Sequence, residues 1–143
     1  MAFTGNYMCS SFKEEVLEAV HNFTSHTFKI ALYDNTATLN ASTTVYTSTG
    51  ELATSGGYTQ TGKPLTVSAT FPKLDGTTAI VDFDNVSWAS ASFTARGALI
   101  YNSSASNKAV AVLDFGSDKT VTSSTFEVVF PTADAASAIV RIA

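Results

Sequence analysis

The feature that most constrains this sequence is a change in the spacing of its apolar residues near position 22. Beyond that point, apolar residues alternate with polar ones or form short runs, which is typical of β-strands. Before it, apolar residues recur at the spacing of one helix face, and they are Phe12, Val16, Leu17 and Val20. The chain is therefore predicted to form one amphipathic helix followed by β-structure.

The predicted helix covers residues 11–22. Ser11 followed by Glu14 is a capping-box pattern, in which the Ser side chain accepts from a free backbone N–H and the Glu reaches back. The four apolar side chains are expected to form the face that docks on the β-domain. A charge at Leu17 is accordingly expected to destabilise the fold by several kcal/mol, because it would enter an apolar contact.

The β-region is predicted to contain about eight strands. Asp75-Gly76 is a strong hairpin signal, since both residues tolerate positive φ. The intervening residues 34–62 form a loosely patterned connection rich in Thr, Ser and Gly, with one short strand near 43–47. The other strands are expected near residues 28–33, 65–69, 79–83, 93–101, 108–115, 125–130 and 138–142. This pattern favours a single-domain, antiparallel β-sandwich or jelly-roll-like fold across residues 1–143.

Two predicted strands, residues 98–101 and 109–113, are apolar on both faces. Such strands have to be covered twice. An opposing sheet is expected to supply one cover, and either the N-terminal helix or a partner subunit the other.

Composition excludes several partners. The chain has 143 residues, with 8 Lys and Arg against 12 Asp and Glu, a net charge of −4. Nucleic-acid binding needs clustered positive charge, and the basic residues here are scattered. No apolar run approaches the ~20 residues of a membrane span, and the first residues lack the pattern of a signal peptide. We therefore expect no nucleic acid or membrane partner.

No catalytic or metal-binding cluster is recognisable, so no enzyme activity, metal or cofactor is predicted. His21 and His26 lie five residues apart and do not share a helix face. Asp82 and Asp84 are interpreted as a solvated face of a hairpin rather than as a calcium site or an acid pair. Cys9, the lone cysteine, is interpreted as an inert thiol rather than a nucleophile.

Aromatic residues leave a carbohydrate-binding alternative open. Tyr46 and Tyr58 lie in the loosely patterned connection and could stack on sugars. Trp88 shares a strand face with Val86 and is predicted to belong to the core.

Four segments together carry a family resemblance. In order they read SFKEEVLEAVHNF from position 11, FKIALY from 28, ALIYN from 98 and AVAVLDFGSDKT from 109. They resemble a family of small virion proteins of tailed bacteriophages, including cyanobacterial and marine phages, over nearly the whole chain. The segments are structural, and the family has no catalytic residues to carry over.

The resemblance implies a head decoration, or cement, protein made in the host cytoplasm and located on the capsid surface of the virion. Such a protein is expected to bind the major capsid protein lattice, as a homotrimer, and to stabilise the head. The alternatives are a tail or baseplate structural protein and a carbohydrate-binding module for host recognition. Fold alone does not separate these functions.

Overall fold

A computed structural model describes residues 3–143 of the chain, which over that range form eight β-strands and one short α-helix. In chain order they are β1 (Tyr7–Met8), α1 (Ser10–Leu17), β2 (Phe28–Tyr33), β3 (Lys63–Pro64), β4 (Lys73–Asp75), β5 (Thr78–Val81), β6 (Val86–Asn102), β7 (Lys108–Val128) and β8 (Val140–Ile142). One sheet has the order β1-β7-β6-β2-β3 and the other β4-β5-β8. All these pairings are antiparallel, which confirms a mainly β, antiparallel fold with a single helix.

The helix is shorter than predicted and begins differently. It ends at Leu17 because Ala19 adopts a left-handed conformation, with φ of 60°. The N-cap is Cys9, and the predicted capping box is wrong: Ser11 lies inside the first turn, and its buried hydroxyl has no hydrogen-bond partner. Backbone contacts fix this start, since Cys9 N–H donates to Val110 at 2.9 Å and Ser10 N–H to Ala41 at 2.8 Å.

The centre of the fold is a long antiparallel ribbon. Three strands predicted at 93–101, 108–115 and 125–130 are in fact parts of two, β6 and β7. No connection follows residue 115, where one predicted strand ends; an irregularity inside β7 lies there instead, since Gly97 pairs with Asp114, whereas Ala95 pairs with Lys119. The extra residues on β7 are absorbed as a bulge, which bends a strand without ending it.

Bulges curl this ribbon sharply. Register shifts occur at four places, and Ser90, Gly116 and Ser123 there have positive φ. The rings of Phe115 and Phe126 are consequently 6.0 Å apart, although eleven residues of straight strand would separate them by about 36 Å. Phe126 also packs against Trp88, which is 1% exposed and belongs to the core as predicted.

At one end of the ribbon, residues 98–101 and 109–113 are apolar on both faces. Other segments of the same chain cover both of these faces. Phe28, on one face of β2, stacks on Phe23 at 4.4 Å, beside the helix. On the opposite face, Tyr101 of β6 packs against Tyr46 at 4.8 Å, and the hydroxyl of Tyr33 donates to the Thr47 carbonyl at 2.7 Å. The second cover is thus the connection 34–62, so residues 98–101 and 109–112 are buried within one chain.

Of the elements predicted outside the ribbon, the hairpin is confirmed and two strands are not. The hairpin at Asp75-Gly76 is confirmed: Asp75 pairs with Thr78 across a turn in which Gly76 has φ of 60°. The strands predicted at 43–47 and 65–69 are reduced to isolated bridges, Val45–Lys108 and Val67–Phe83. Short polar side chains in such segments bond to nearby backbone and compete with strand formation.

Candidate functional site

The predicted docking face of the helix is only partly correct. Phe12 is 1% exposed and Val16 packs partly against the core, but Leu17 is 87% exposed. Val20 lies beyond the helix end and is half-buried. At about 100° per residue, Leu17 sits roughly 140° around the helix from Phe12, so the two cannot face the same core. The buried stripe is completed instead by Glu15, which is 7% exposed.

Glu15 is buried because it is paired. Its Oε2 lies 2.7 Å from His21 Nε2, and its Oε1 lies 3.1 Å from Lys108 Nζ. These contacts join the helix, the turn that follows it and the start of β7. Burial of a carboxylate is tolerated where opposite charge and hydrogen bonds satisfy it.

Asn102 extends this polar group to the second histidine. Its side-chain nitrogen lies 3.0 Å from His21 Nδ1 and 2.9 Å from His26 Nδ1. The amide orientation follows from Ser104, whose backbone N–H donates to Asn102 Oδ1 at 3.0 Å. Asn102 therefore donates to both rings, and each ring accepts on Nδ1.

This arrangement assigns the histidines a structural role. With Nδ1 of His21 accepting, its Nε2 carries the proton that it donates to Glu15. The sequence prediction kept the two histidines apart because of their spacing, whereas Asn102 brings them together. Within residues 3–143, no three or more His, Cys, Asp and Glu side chains are grouped closely enough to hold a metal ion.

A second buried carboxylate, Glu51, belongs to the connection 34–62 itself. It is 8% exposed and accepts from the hydroxyls of Tyr46 and Tyr58, the latter at 2.7 Å. The backbone N–H of Thr61 also donates to it, at 2.6 Å. The three donors lie on either side of Glu51 along the connection, so Glu51 ties its second half together. Nothing in the surrounding Thr- and Ser-rich sequence signalled this role.

The tyrosines around Glu51 are held in their neutral form. Burial, and next the negative charge of Glu51, raise the pKa of Tyr33 well above its usual range, and the pKa of Tyr101 to about 12. Tyr58, proposed from the sequence as a sugar-stacking residue, is 2% exposed, and Tyr46 is half-buried against Tyr101. The structure therefore uses these rings inside the fold.

Cys9 is placed where a thiol is unreactive. It is fully buried, and burial followed by the charge of Glu15 raises its pKa to about 11. The thiolate is the nucleophilic form, and a thiol with this pKa is protonated at neutral pH. This placement agrees with the interpretation of Cys9 as inert.

Asp82 and Asp84 were interpreted as a solvated face of a hairpin, and this interpretation is wrong for Asp82. Asp84 is exposed, but Asp82 is 4% exposed, and burial, opposed by its bond to the Phe83 N–H, raises its pKa. Asp82 lies in the segment between β5 and β6, where its Oδ1 accepts from the Phe83 N–H at 2.9 Å.

Comparison with known proteins found no match: no protein family, curated protein or solved structure is significantly similar to the chain. No helix within residues 3–143 is long and apolar enough to cross a membrane.

Proposed function

We propose that the chain is a head decoration protein of a tailed bacteriophage, which binds the major capsid protein lattice and stabilises the head. It acts as a homotrimer on the capsid surface of the virion and is made in the host cytoplasm. Its mechanism is binding: each copy adds contact area across a boundary between capsid subunits, and repetition around the lattice supplies avidity.

The observation that carries this proposal is the distribution of carboxylates and large apolar side chains between the interior and the surface. Glu15 and Glu51 hold backbone segments together in the interior. The surface, in contrast, displays large apolar side chains such as Leu17 at 87% and Leu74 at 69% exposure. A molecule that uses individual buried carboxylates for internal structure and presents large apolar side chains outward is suited to protein contact. The resemblance to phage virion proteins supports the same function.

Copy number tests the location. Quantitative mass spectrometry of purified virions is expected to find this chain in hundreds of copies, in fixed proportion to the major capsid protein. A handful of copies per particle, in proportion to a tail protein, would instead support the tail or baseplate alternative.

A deletion tests the mechanism. Heads assembled without the protein are expected to form but to rupture at lower temperature than complete heads, because the added contacts are missing. Re-addition of purified protein is the control and should restore the rupture temperature. Heads of equal robustness with and without the protein would refute a stabilising role.

A further inference from the structure

The side chain of Asn102 lies where three hydrogen bonds meet. Its nitrogen donates to Nδ1 of His21 at 3.0 Å and to Nδ1 of His26 at 2.9 Å, and its oxygen accepts from the backbone N–H of Ser104 at 3.0 Å. Asn102 and the ring of His21 are fully buried. All three bonds therefore depend on one orientation of one amide, and that orientation requires an unprotonated Nδ1 on both rings.

Proton uptake reverses the role of these ring nitrogens. An imidazole with a proton on both nitrogens has two donors and no acceptor, so a protonated ring presents an N–H to the NH2 group of Asn102. Rotation of the amide by about 180° turns its oxygen toward the rings and restores hydrogen bonds there. The same rotation places the NH2 group against the N–H of Ser104, which then loses its acceptor.

Ser104 belongs to a turn that is held in an unfavourable conformation. In this turn, which joins β6 to β7, Ser106 and Asn107 have φ of 54° and 58°. The left-handed region is disfavoured for residues other than glycine, and such residues keep it only while their surroundings fix them. The turn is fixed through Ser104, which is bonded to Asn102 and whose Oγ accepts from the Thr27 N–H at 2.8 Å. Loss of the first bond removes one of these two attachments.

Two charged side chains face the histidines. Glu15 from α1 contacts His21 Nε2 at 2.7 Å, and Lys108 from β7 contacts the other oxygen of Glu15 at 3.1 Å. Nδ1 of His26 also accepts from the backbone N–H of Asn22, at 3.4 Å. Proton uptake on this atom therefore removes an acceptor from a second donor as well.

The other neighbouring groups do not gain or lose a proton in the range of imidazole. On β2, Phe28 pairs with Asn102 and is apolar, whereas Lys29 lies on the opposite face of that strand. Cys9 is protonated at neutral pH, because burial raises its pKa to about 11. Burial also raises the pKa of Asp82, which therefore serves as a control in the experiment below.

We propose that Asn102 is an acid-operated switch for the turn at residues 103–107. A proton from solvent on Nδ1 of His21 or His26 rotates the amide, the N–H of Ser104 loses its acceptor, and the turn leaves its left-handed conformation. No covalent bond changes apart from the N–H bond that forms on the ring. The exposed surface of this turn therefore differs between neutral and mildly acidic solution, whatever partner the chain binds.

An NMR titration of the whole chain tests the switch. Long-range 1H–15N spectra at about pH 7.5 should show both rings without a proton on Nδ1, and spectra toward about pH 5 should show that proton appear. With the same midpoint, we expect the Ser104 amide proton to move upfield. Its exchange, corrected for the intrinsic effect of pH, should become roughly fivefold faster, as the loss of one hydrogen bond implies.

Ser42 is the internal control. Its N–H donates to Asn40 Oδ1 at 2.7 Å in the same i to i+2 arrangement as Ser104 and Asn102, and it should show no change with that midpoint. Asp82→Asn should leave the Ser104 transition unchanged, because Asp82 is not bonded to the histidines. Loss of the transition in this variant would assign it to Asp82 and overturn the proposal.

Asn102→Asp separates the amide from the rings. A carboxylate accepts on both oxygens, so it serves the rings and Ser104 without rotating, and the pH dependence of the Ser104 amide should disappear. The wild-type titration decides the question if this variant does not fold. The proposal is overturned by a Ser104 amide that is unchanged while a ring gains its proton, or by a ring with Nδ1 protonated at neutral pH. Rings that both stay unprotonated down to about pH 5, or an unaltered transition in Asn102→Asp, would also overturn it.

Discussion

At the scale of single residues, Glu51 is the clearest case of a charge used for structure. One carboxylate receives two tyrosine hydroxyls and a backbone N–H, from positions 46, 58 and 61. The connection that these residues belong to has no strand ladder of its own within residues 34–62. The bonds to Glu51 therefore add to scattered backbone bonds that attach the connection to the sheet, such as those from Leu52 N–H to the Leu32 carbonyl and from Ala109 N–H to the Thr44 carbonyl, both at 3.0 Å.

Glu51→Ala is expected to lower the free energy of unfolding by about 2–5 kcal/mol, because it leaves buried donors without an acceptor. Urea denaturation measures the change. Glu14→Ala removes an exposed carboxylate from the helix and should alter stability by less than about 0.5 kcal/mol. Equal effects of the two substitutions would show that Glu51 does not hold the connection.

The tyrosines around Glu51 should make the protein sensitive to alkali. A tyrosine whose pKa is raised on folding binds its proton more tightly in the folded state. Its stabilising contribution is therefore complete below the unfolded pKa, near 10, and is lost as pH rises toward the folded value. For Tyr101 that window ends at about 12, and Tyr33, Tyr46 and Tyr58 shift in the same direction.

We accordingly expect the free energy of unfolding to fall between pH 10 and about 12, by up to about 1.4 kcal/mol per pH unit for each such tyrosine. Chemical denaturation at several pH values measures the slope, and absorbance at 295 nm reports tyrosinate. Tyr101→Phe should make the slope shallower. A flat stability profile across this range would contradict the assignment of buried, neutral tyrosines.

At the scale of elements, close backbone approach distinguishes two glycines with similar dihedral angles. Gly62, with φ of 74°, lies so close to β2 that an added Cβ would be 1.8 Å from the Ile30 carbonyl oxygen. Gly76, with φ of 60°, has no atom within 4 Å of that position. Only the first glycine is required by packing as well as by conformation.

Gly76→Ala should therefore cost about 1–2 kcal/mol, the strain of a left-handed residue. Gly62→Ala should cost that amount and about 1–3 kcal/mol more, since the backbone has to move apart. Thermal or urea unfolding of the two variants measures the difference. Equal losses would mean that the connection moves away from β2 without cost.

The helix offers a second matched pair of substitutions. Phe12→Ala removes a side chain that is 1% exposed and should cost about 3–5 kcal/mol. Leu17→Asp changes an 87% exposed residue and should cost less than about 0.5 kcal/mol, in contrast to the expectation from the sequence. Melting curves compare them, and a large loss for Leu17→Asp would restore Leu17 to the core-facing side.

Local chemistry explains which elements could be predicted from the sequence. The strand at 28–33 and the Asp75-Gly76 hairpin follow from alternation and from turn residues, and both are confirmed. The end of the helix and the bulges at Ser90 and Ser123 place residues other than glycine at positive φ, which no local pattern indicates. Glu15 was missed because its partners, His21 and Lys108, come from the following turn and from β7.

At the scale of the whole molecule, the segments that cover the two faces of the sheet decide whether the core needs a partner subunit. The sequence left open whether a partner subunit buries residues 98–101 and 109–113, and the structure assigns that burial to the helix and to the connection 34–62. Self-association is therefore not required to complete the core. The homotrimer remains a prediction about the outer surface.

Sedimentation equilibrium tests that prediction. We expect a species of three 15.0 kDa chains that dissociates on dilution without unfolding, because each core is complete in one chain. Circular dichroism on the diluted sample is the control. A monomer at all accessible concentrations would rule out a trimer in solution, and loss of secondary structure on dilution would show that the core does depend on a partner.

The curled ribbon has a further consequence, for the behaviour of the protein at high concentration. Beyond its two pairings with β1, the outer edge of β7 has no strand partner among residues 3–143. A long flat edge of this kind would recruit identical edges and grow into fibrils. Bulges at Gly116 and Ser123 break the ladder, and Lys119 places a charge between them. The same irregularities that bring Phe115 to Phe126 thus disfavour edge-to-edge pairing between copies of the chain.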